Sequence, residues 1–171
     1  MTAINVEFLS KFLLFQDVPM ADLEVVRAVA KIREYSPGDK IVTEDEHGTE
    51  MFLLLSGEIE ITQRLMLSID HSEDDARNKS LAKMHADQHI AVGETSLFGE
   101  GRRTATVRAV NSVTMACLDR SDLLAYCQSN PEFGYRLFYN LGNILSKRLG
   151  EANRNIMKIS TAFVLALERG R

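Results

Sequence analysis

The sequence predicts a mainly β domain flanked by helices, and three observations carry that prediction. Apolar residues recur at helical spacing near the N-terminus, alternate between about Ile32 and Leu118, and return to helical spacing beyond Leu118. Turn-forming clusters punctuate the middle block: Ser36-Pro37-Gly38-Asp39, Glu46-His47-Gly48, Ser56-Gly57 and Gly99-Glu100-Gly101. Short strands so spaced predict an antiparallel barrel or sandwich. The 171 residues, 45% hydrophobic and 26% charged, suffice for one domain with a buried core plus an extension.

At the N-terminus, Phe8, Phe12 and Phe15, then Leu23, Val26 and Val29, mark helical faces interrupted at Asp17-Val18-Pro19. In the middle block, residues 58–62, 104–109 and 113–117 alternate strictly. The polar, aperiodic run from Asp70 to Ser80 reads as a long hairpin loop. After Leu118, Asp119 or Ser121 caps a short helix through Tyr126. Asn130-Pro131-Glu132 then supplies a cap, a first-turn proline and an acid for a helix running nearly to Glu168. That helix carries a heptad pattern, with Phe138, Leu145, Ala152, Ile159 and Ala166 in one core position. Gly142, Leu149, Ile156 and Phe163 occupy the other. Residues 1–150 are therefore expected to form the domain and residues 151–171 a C-terminal helical extension. Its apolar stripe needs a partner, and a homodimer through this helix is the simplest.

Charge and composition exclude several function classes. Twenty Lys and Arg against 24 Asp and Glu leave a net charge of −4, without the basic excess of a nucleic-acid binder. No apolar run is long enough to span a membrane. Glu7 and Lys11 interrupt the apolar N-terminus, which lacks a signal-peptide cleavage site. Cys117 and Cys127 are too few for a disulfide framework and read as core thiols, so the expected compartment is the reducing cytoplasm.

The segment from Val92 to Ala109 carries the chemistry. Gly93 lets the backbone approach a ligand, and a helical turn starting at Glu94 would offer free N–H groups to an anion, preferably phosphate. An acid beside that anion is tolerated when its oxygens accept from a hydroxyl, and a phosphate flanked by a sugar diol meets both demands. Arg103 can reach back as the fixed cation, with Thr104 adding a hydroxyl donor. Arg102 and Arg108 read as solvated charges.

This segment closely resembles the phosphate-binding cassette of cyclic-nucleotide-binding domains, and residues 101–109, Gly-Arg-Arg-Thr-Ala-Thr-Val-Arg-Ala, are especially like the channel version. Residues 37–42 and 54–61 resemble the family's turn-and-strand signatures, so the likeness extends over roughly residues 8–148. It implies a jelly-roll-like double-stranded β-helix barrel with N-terminal helices and a long C-terminal helix. It also implies that Glu94 accepts from the ribose 2′-hydroxyl and that Arg103 pairs with the cyclic phosphate. Gly93, Thr95 and Ser96 would line the cassette turn, Thr104 would sit near the phosphate, and the Ala105 N–H would help hold phosphate and sugar. Residues 85–92 depart from the family's Gly-Pro-Gly-Asp type turn, running two residues longer and placing Val92 where Phe is common.

The function expected is binding of a purine 3′,5′-cyclic nucleotide, cAMP favoured over cGMP, by a regulatory sensor that repositions its C-terminal helix. No chemistry and no cofactor are expected, and neither nucleic acid nor membrane is an expected partner. An effector protein is the other partner this reading admits. Candidates for a lid over the base are Phe138, Leu141, Leu145 and Arg148. The rival is a ligand-free structural or protein-partner module of the same fold. An enzyme such as a phosphodiesterase finds no support, because His85 and His89 have no completing metal ligands and Ser96 with His89 lacks an elbow motif. The family's transcription factors append a helix-turn-helix after the long helix, and the roughly twenty residues beyond the domain leave no room for one.

Overall fold

The computed structural model describes residues 4–64, 78–94 and 101–169. Its eight strands are β1 (Lys31–Tyr35), β2 (Lys40–Val42), β3 (Glu50–Ser56), β4 (Glu58–Arg64), β5 (Asn78–His85), β6 (Ala91–Val92), β7 (Thr106–Ala109) and β8 (Val113–Asp119). The helices are α1 (Val6–Leu9), α2 (Met20–Val29), α3 (Arg120–Ser129) and α4 (Pro131–Arg169), with 3-10 turns at Leu13–Phe15 and Ala86–Gln88.

Two four-stranded antiparallel sheets form, in the orders β1-β8-β3-β6 and β2-β7-β4-β5. This is the expected jelly-roll architecture, although among the described residues the sheets do not close on each other. Asn78, Lys79 and Ser80, expected in the hairpin loop, instead open β5 opposite Arg64, Gln63 and Thr62. An edge strand that faces solvent needs no apolar alternation, so nothing in its residue types distinguished it from loop. The remainder of that expected loop, residues 70–77, lies outside the described residues.

Strand parity decides where the core sits. Phe52 and Leu54 of β3, with Val113, Met115 and Cys117 of β8, face Val42, Ile59, Val107 and Ala109 of the opposite sheet. The alternate residues Met51, Leu53, Ala116 and Leu118 face Leu9, Leu23, Leu123, Phe133 and Leu137 of the helices and Phe12 of the N-terminal segment. β8 is thus buried on both faces, and the strict alternation expected at 113–117 was one of size rather than of burial. Small Ala116 fits where helices press closely.

The helices are tied to each other by polar side chains as well as packing. Asp119 caps α3 by accepting from the Ser121 N–H at 2.8 Å, and Asn130 accepts from the Phe133 N–H at 3.1 Å, with Pro131 beginning α4. Tyr126 Oη and Asn130 Nδ2 both donate to Asp22 Oδ1, at 2.7 and 2.9 Å. On α4, buried Asn140 donates through Nδ2 to the carbonyls of Leu14 and Gln16, at 3.1 and 2.7 Å. These two carbonyls belong to the 3-10 turn and its cap, so Asn140 fixes the base of α4 against the N-terminal segment.

Replacing Asn140 by alanine leaves both carbonyls without that donor and is expected to cost about 1–3 kcal/mol of stability. Urea unfolding of Asn140→Ala should show this loss. Tyr139→Ala, one residue away at an exposed position, should unfold close to wild type.

Candidate functional site

The site is organised by Arg103, which is only 7% exposed. Its backbone is held first. The Arg103 N–H donates to Glu46 O and its carbonyl accepts from the Asp45 N–H, each at 2.9 Å, while Gly48 N–H donates to Gly101 O at 3.0 Å. This short ladder against the 45–48 turn aims the side chain between the sheets. There Nη2 donates to Glu50 O at 2.8 Å, and the guanidinium carbon lies 5.5 Å from the centre of the Phe52 ring.

Two glycines make room for it. A Cβ at Gly48 would lie 2.4 Å from Arg103 Nη2, and one at Gly93 would lie 2.5 Å from Nη1. Gly93 also adopts φ +78°, a conformation that side-chain-bearing residues disfavour. Burial pushes the Arg103 pKa down from the ordinary guanidinium value, and the Glu50 and Glu94 carboxylates push it back up. The result is a cation presented at the Gly93 backbone rather than to bulk water.

Glu94 follows directly and is 5% exposed. Its Oε1 accepts from Arg148 Nη1 of α4, and the same guanidinium reaches Ala91 O through Nη2 at 3.3 Å. A cavity of about 420 Å3 opens beside this pair, between the Leu13–Gln16 stretch, the Gln88–Ala91 stretch and α4 from Asn140 to Glu151. Arg103 is not among the residues that line it.

The other expected residues fall as follows. Thr104 is exposed and Ala105 half-buried, just before β7, while Thr95 and Ser96 lie outside the described residues. Arg102 is exposed and pairs with Asp45 at 3.0 Å, and Arg108 donates to Gly38 O at 2.8 Å. Among the lid candidates, Leu141 is buried in the helical core and Phe138 and Leu145 pack against it. Leu141 and Arg148 line the cavity, and Arg148 is the one that bonds to Glu94. His85 lies 3.6 Å from Glu58, and His89 packs against the rings of Phe8 and Phe12. Among the described residues no cluster of His, Cys, Asp and Glu could hold a metal ion. Cys117 and Cys127 are buried core thiols, and burial pushes the Cys117 pKa up to about 11. No described helix is long and apolar enough to cross a membrane.

Sequence reasoning missed Gly48, Glu50 and Phe52. Gly48 stood in a recognised turn signal, but the turn gave no hint that its missing Cβ seats a guanidinium. Glu50 bonds to Arg103 through its backbone carbonyl, for which residue type carries no signal.

Comparison with known proteins follows this geometry. The chain is 28% identical over 146 residues to the human (Homo sapiens) cyclic nucleotide-gated channel alpha-3, a match covering 76% of this chain and 18% of the channel. It is 24% identical over 147 residues to the cyclic AMP receptor protein of Thermus thermophilus, covering 86% of this chain and 62% of that protein. The chain thus spans less than two thirds of the length of these curated relatives. Among solved structures, a cyclic nucleotide-binding domain from Methylobacillus flagellatus superposes with a TM-score of 0.72 at 21% identity, covering 89% of this chain and 80% of that one. The profile of the cyclic nucleotide-binding domain family matches residues 32–130, which run from the second residue of β1 past the end of α3 and include the buried Arg103 and Glu94 and the glycines between which Arg103 lies; this chain belongs to that family.

Proposed function

We propose that the chain binds a purine 3′,5′-cyclic nucleotide, cAMP in preference to cGMP, as a regulatory module that performs no chemistry on it. The observation that carries this reading is the pair of buried, opposite charges at Gly93. Arg103 offers a desolvated fork for one phosphate charge, and Glu94 offers a carboxylate for a sugar hydroxyl. In this reading Gly93, Thr95 and Ser96 would contact the ligand along the cassette, with Thr104 and the Ala105 N–H on its phosphate side. The name of the Thermus relative supports cAMP. Two buried, unpaired thiols fit a reducing cytoplasm.

Residues 1–150 act in this reading as the binding domain and residues 151–171 as an output helix, repositioned on binding and read by a second copy or an effector protein. The support is a change of environment along α4. Phe133, Leu137 and Leu141 are buried in the core, whereas Leu149, Ile156, Ile159 and Phe163 are about three-fifths exposed along the predicted heptad seam.

Calorimetric titration should show saturable binding of cAMP, weaker binding of cGMP and much weaker binding of AMP. At a hundred times its dissociation constant the cyclic ligand should add about 2.7 kcal/mol of stability, visible as a raised Tm. No heat with any of the three overturns the proposal.

Arg103→Ala should lower affinity by about thirty- to several-thousand-fold, because the cyclic phosphate loses its desolvated cation. Arg103 packs on Phe52, so circular dichroism must confirm folding. Arg103→Lys keeps the charge without the fork and should also bind weakly. Arg102→Ala should cost only about 0–1 kcal/mol, as a solvated charge does. Loss in Arg102→Ala with binding intact in both Arg103 variants overturns the site assignment.

Sedimentation should find a dimer. Burial of the four seam residues would contribute on the order of 1.5–3 kcal/mol each before association costs. Truncation after Gly150 should give a monomer that still binds nucleotide. A monomer at high concentration from the untruncated chain would sink the dimer.

A further inference from the structure

Arg103 shares Glu50 with a second arginine. Its Nη2 donates to the Glu50 backbone carbonyl at 2.8 Å, while the Glu50 side chain turns to Arg33 of β1. That second contact is a fork: Arg33 Nη1 donates to Oε2 at 2.7 Å and Nη2 to Oε1 at 2.5 Å. Both carboxylate oxygens are thus engaged toward β1. Strand β8 lies between β1 and β3, and Arg33 and Glu50 register with its Met115 and Asp119. The pair therefore crosses β8 at Cys117, on the side of the sheet that carries Phe52. Its Arg33 side chain is 42% exposed and its Glu50 side chain 24%.

An acid so placed acts on two cations. Burial lowers the Arg103 pKa and the Glu50 charge pushes it back up, while hydrogen bonding to Glu50 raises that of Arg33. A carboxylate within the field of Arg103 is also within the field of an anion that Arg103 holds, and there its charge repels. We infer that Arg33 is a positioning residue for the phosphate site, holding the Glu50 carboxylate toward β1 so that it neither pairs with Arg103 nor repels the anion. This rests on the nucleotide-binding reading above. Arg33 touches no ligand in this scheme and acts through Glu50. The pair as a whole is neutral toward a bound phosphate. Without Arg33 it becomes an acid beside the phosphate cation, and without the Glu50 charge it becomes a second cation.

Substitutions at the two ends of this one ion pair should therefore move affinity in opposite directions. Arg33→Gln should weaken cAMP binding about three- to thirty-fold. Glu50→Gln keeps the backbone carbonyl for Arg103 and should tighten binding about two- to fivefold. Adding Glu50→Gln to Arg33→Gln should restore affinity to within about threefold of wild type. A second measurement needs no ligand. The Arg103 Nε–H signal in NMR spectra, assigned by its loss in Arg103→Lys, should move in Arg33→Gln, where Glu50 turns to the guanidinium. It should move back in the double variant.

A mere structural tie between β1 and β3 would act differently. Both single variants would then weaken binding, and the double variant would bind no better than Arg33→Gln. That result, or unchanged affinity in Arg33→Gln, overturns the positioning role and leaves the binding reading standing. Should the wild-type chain bind no cyclic nucleotide, the binding reading fails and the NMR signal decides alone. An unmoved Arg103 signal in Arg33→Gln overturns the role of Arg33 in either case.

Discussion

Removing a guanidinium from water costs several kcal/mol, and the surroundings of Arg103 are arranged to offset that cost. One N–H is satisfied by a β3 carbonyl, the face of Phe52 lies beside the cation, and two carboxylates bias the local field in its favour. Each element depends on chain features far from residue 103. Glu50 and Phe52 are two apart on β3, so one short stretch of strand supplies both the carbonyl and the ring that the guanidinium meets. Gly48 and Gly93 must lack side chains, because the guanidinium fills the space a Cβ would take. Gly101, at φ +72°, lets the chain run beside Gly48, where an added Cβ would meet a carbonyl at 3.0 Å. A single buried charge thus accounts for three glycines and the register of one strand.

That arrangement needs a rigid platform, which comes from strands covered on both faces. β3 and β8 put one set of residues between the sheets and the other against the helices. Neither strand can shift by one residue without exchanging the two sets. The inter-sheet side and the helix-facing side of β3 are consequently held in fixed relation, one residue apart. Phe52 belongs to the first and Met51 and Leu53 to the second.

The parts of this design legible in the sequence are those with a local signature. Helical spacing marked α2 and α4, the Asn130-Pro131 pair marked the α4 start, and the Gly93–Ala109 segment carried both buried charges. What stayed hidden depends on distant contacts. Ala116 read as the polar phase of an alternation, because small size and exposure look alike when only residue type is known. The first residues of β5 read as loop, because an edge strand can be polar throughout. Gly48 and Glu50 serve Arg103 across more than fifty residues, and Arg148 meets Glu94 across 54. No periodicity records pairings at that separation.

Helix α4 joins these two kinds of structure. Its first three turns are fixed by shape and by Asn140, whose bonds tie it to the N-terminal segment. From Glu151 to Glu168 every residue is exposed. At about 1.5 Å per residue the part beyond Gly150 extends roughly 30 Å. A rigid helix pivoting near Leu141 moves its tip several times further than it moves Arg148, because the tip lies that much further from the pivot. Arg148 sits two turns above the pivot, at the last place where a side chain of α4 meets both the Ala91 carbonyl and Glu94. Packing closer to the pivot would resist rotation with many contacts of fixed geometry. The Arg148–Glu94 ion pair, exposed only on its arginine side, resists it with far fewer contacts.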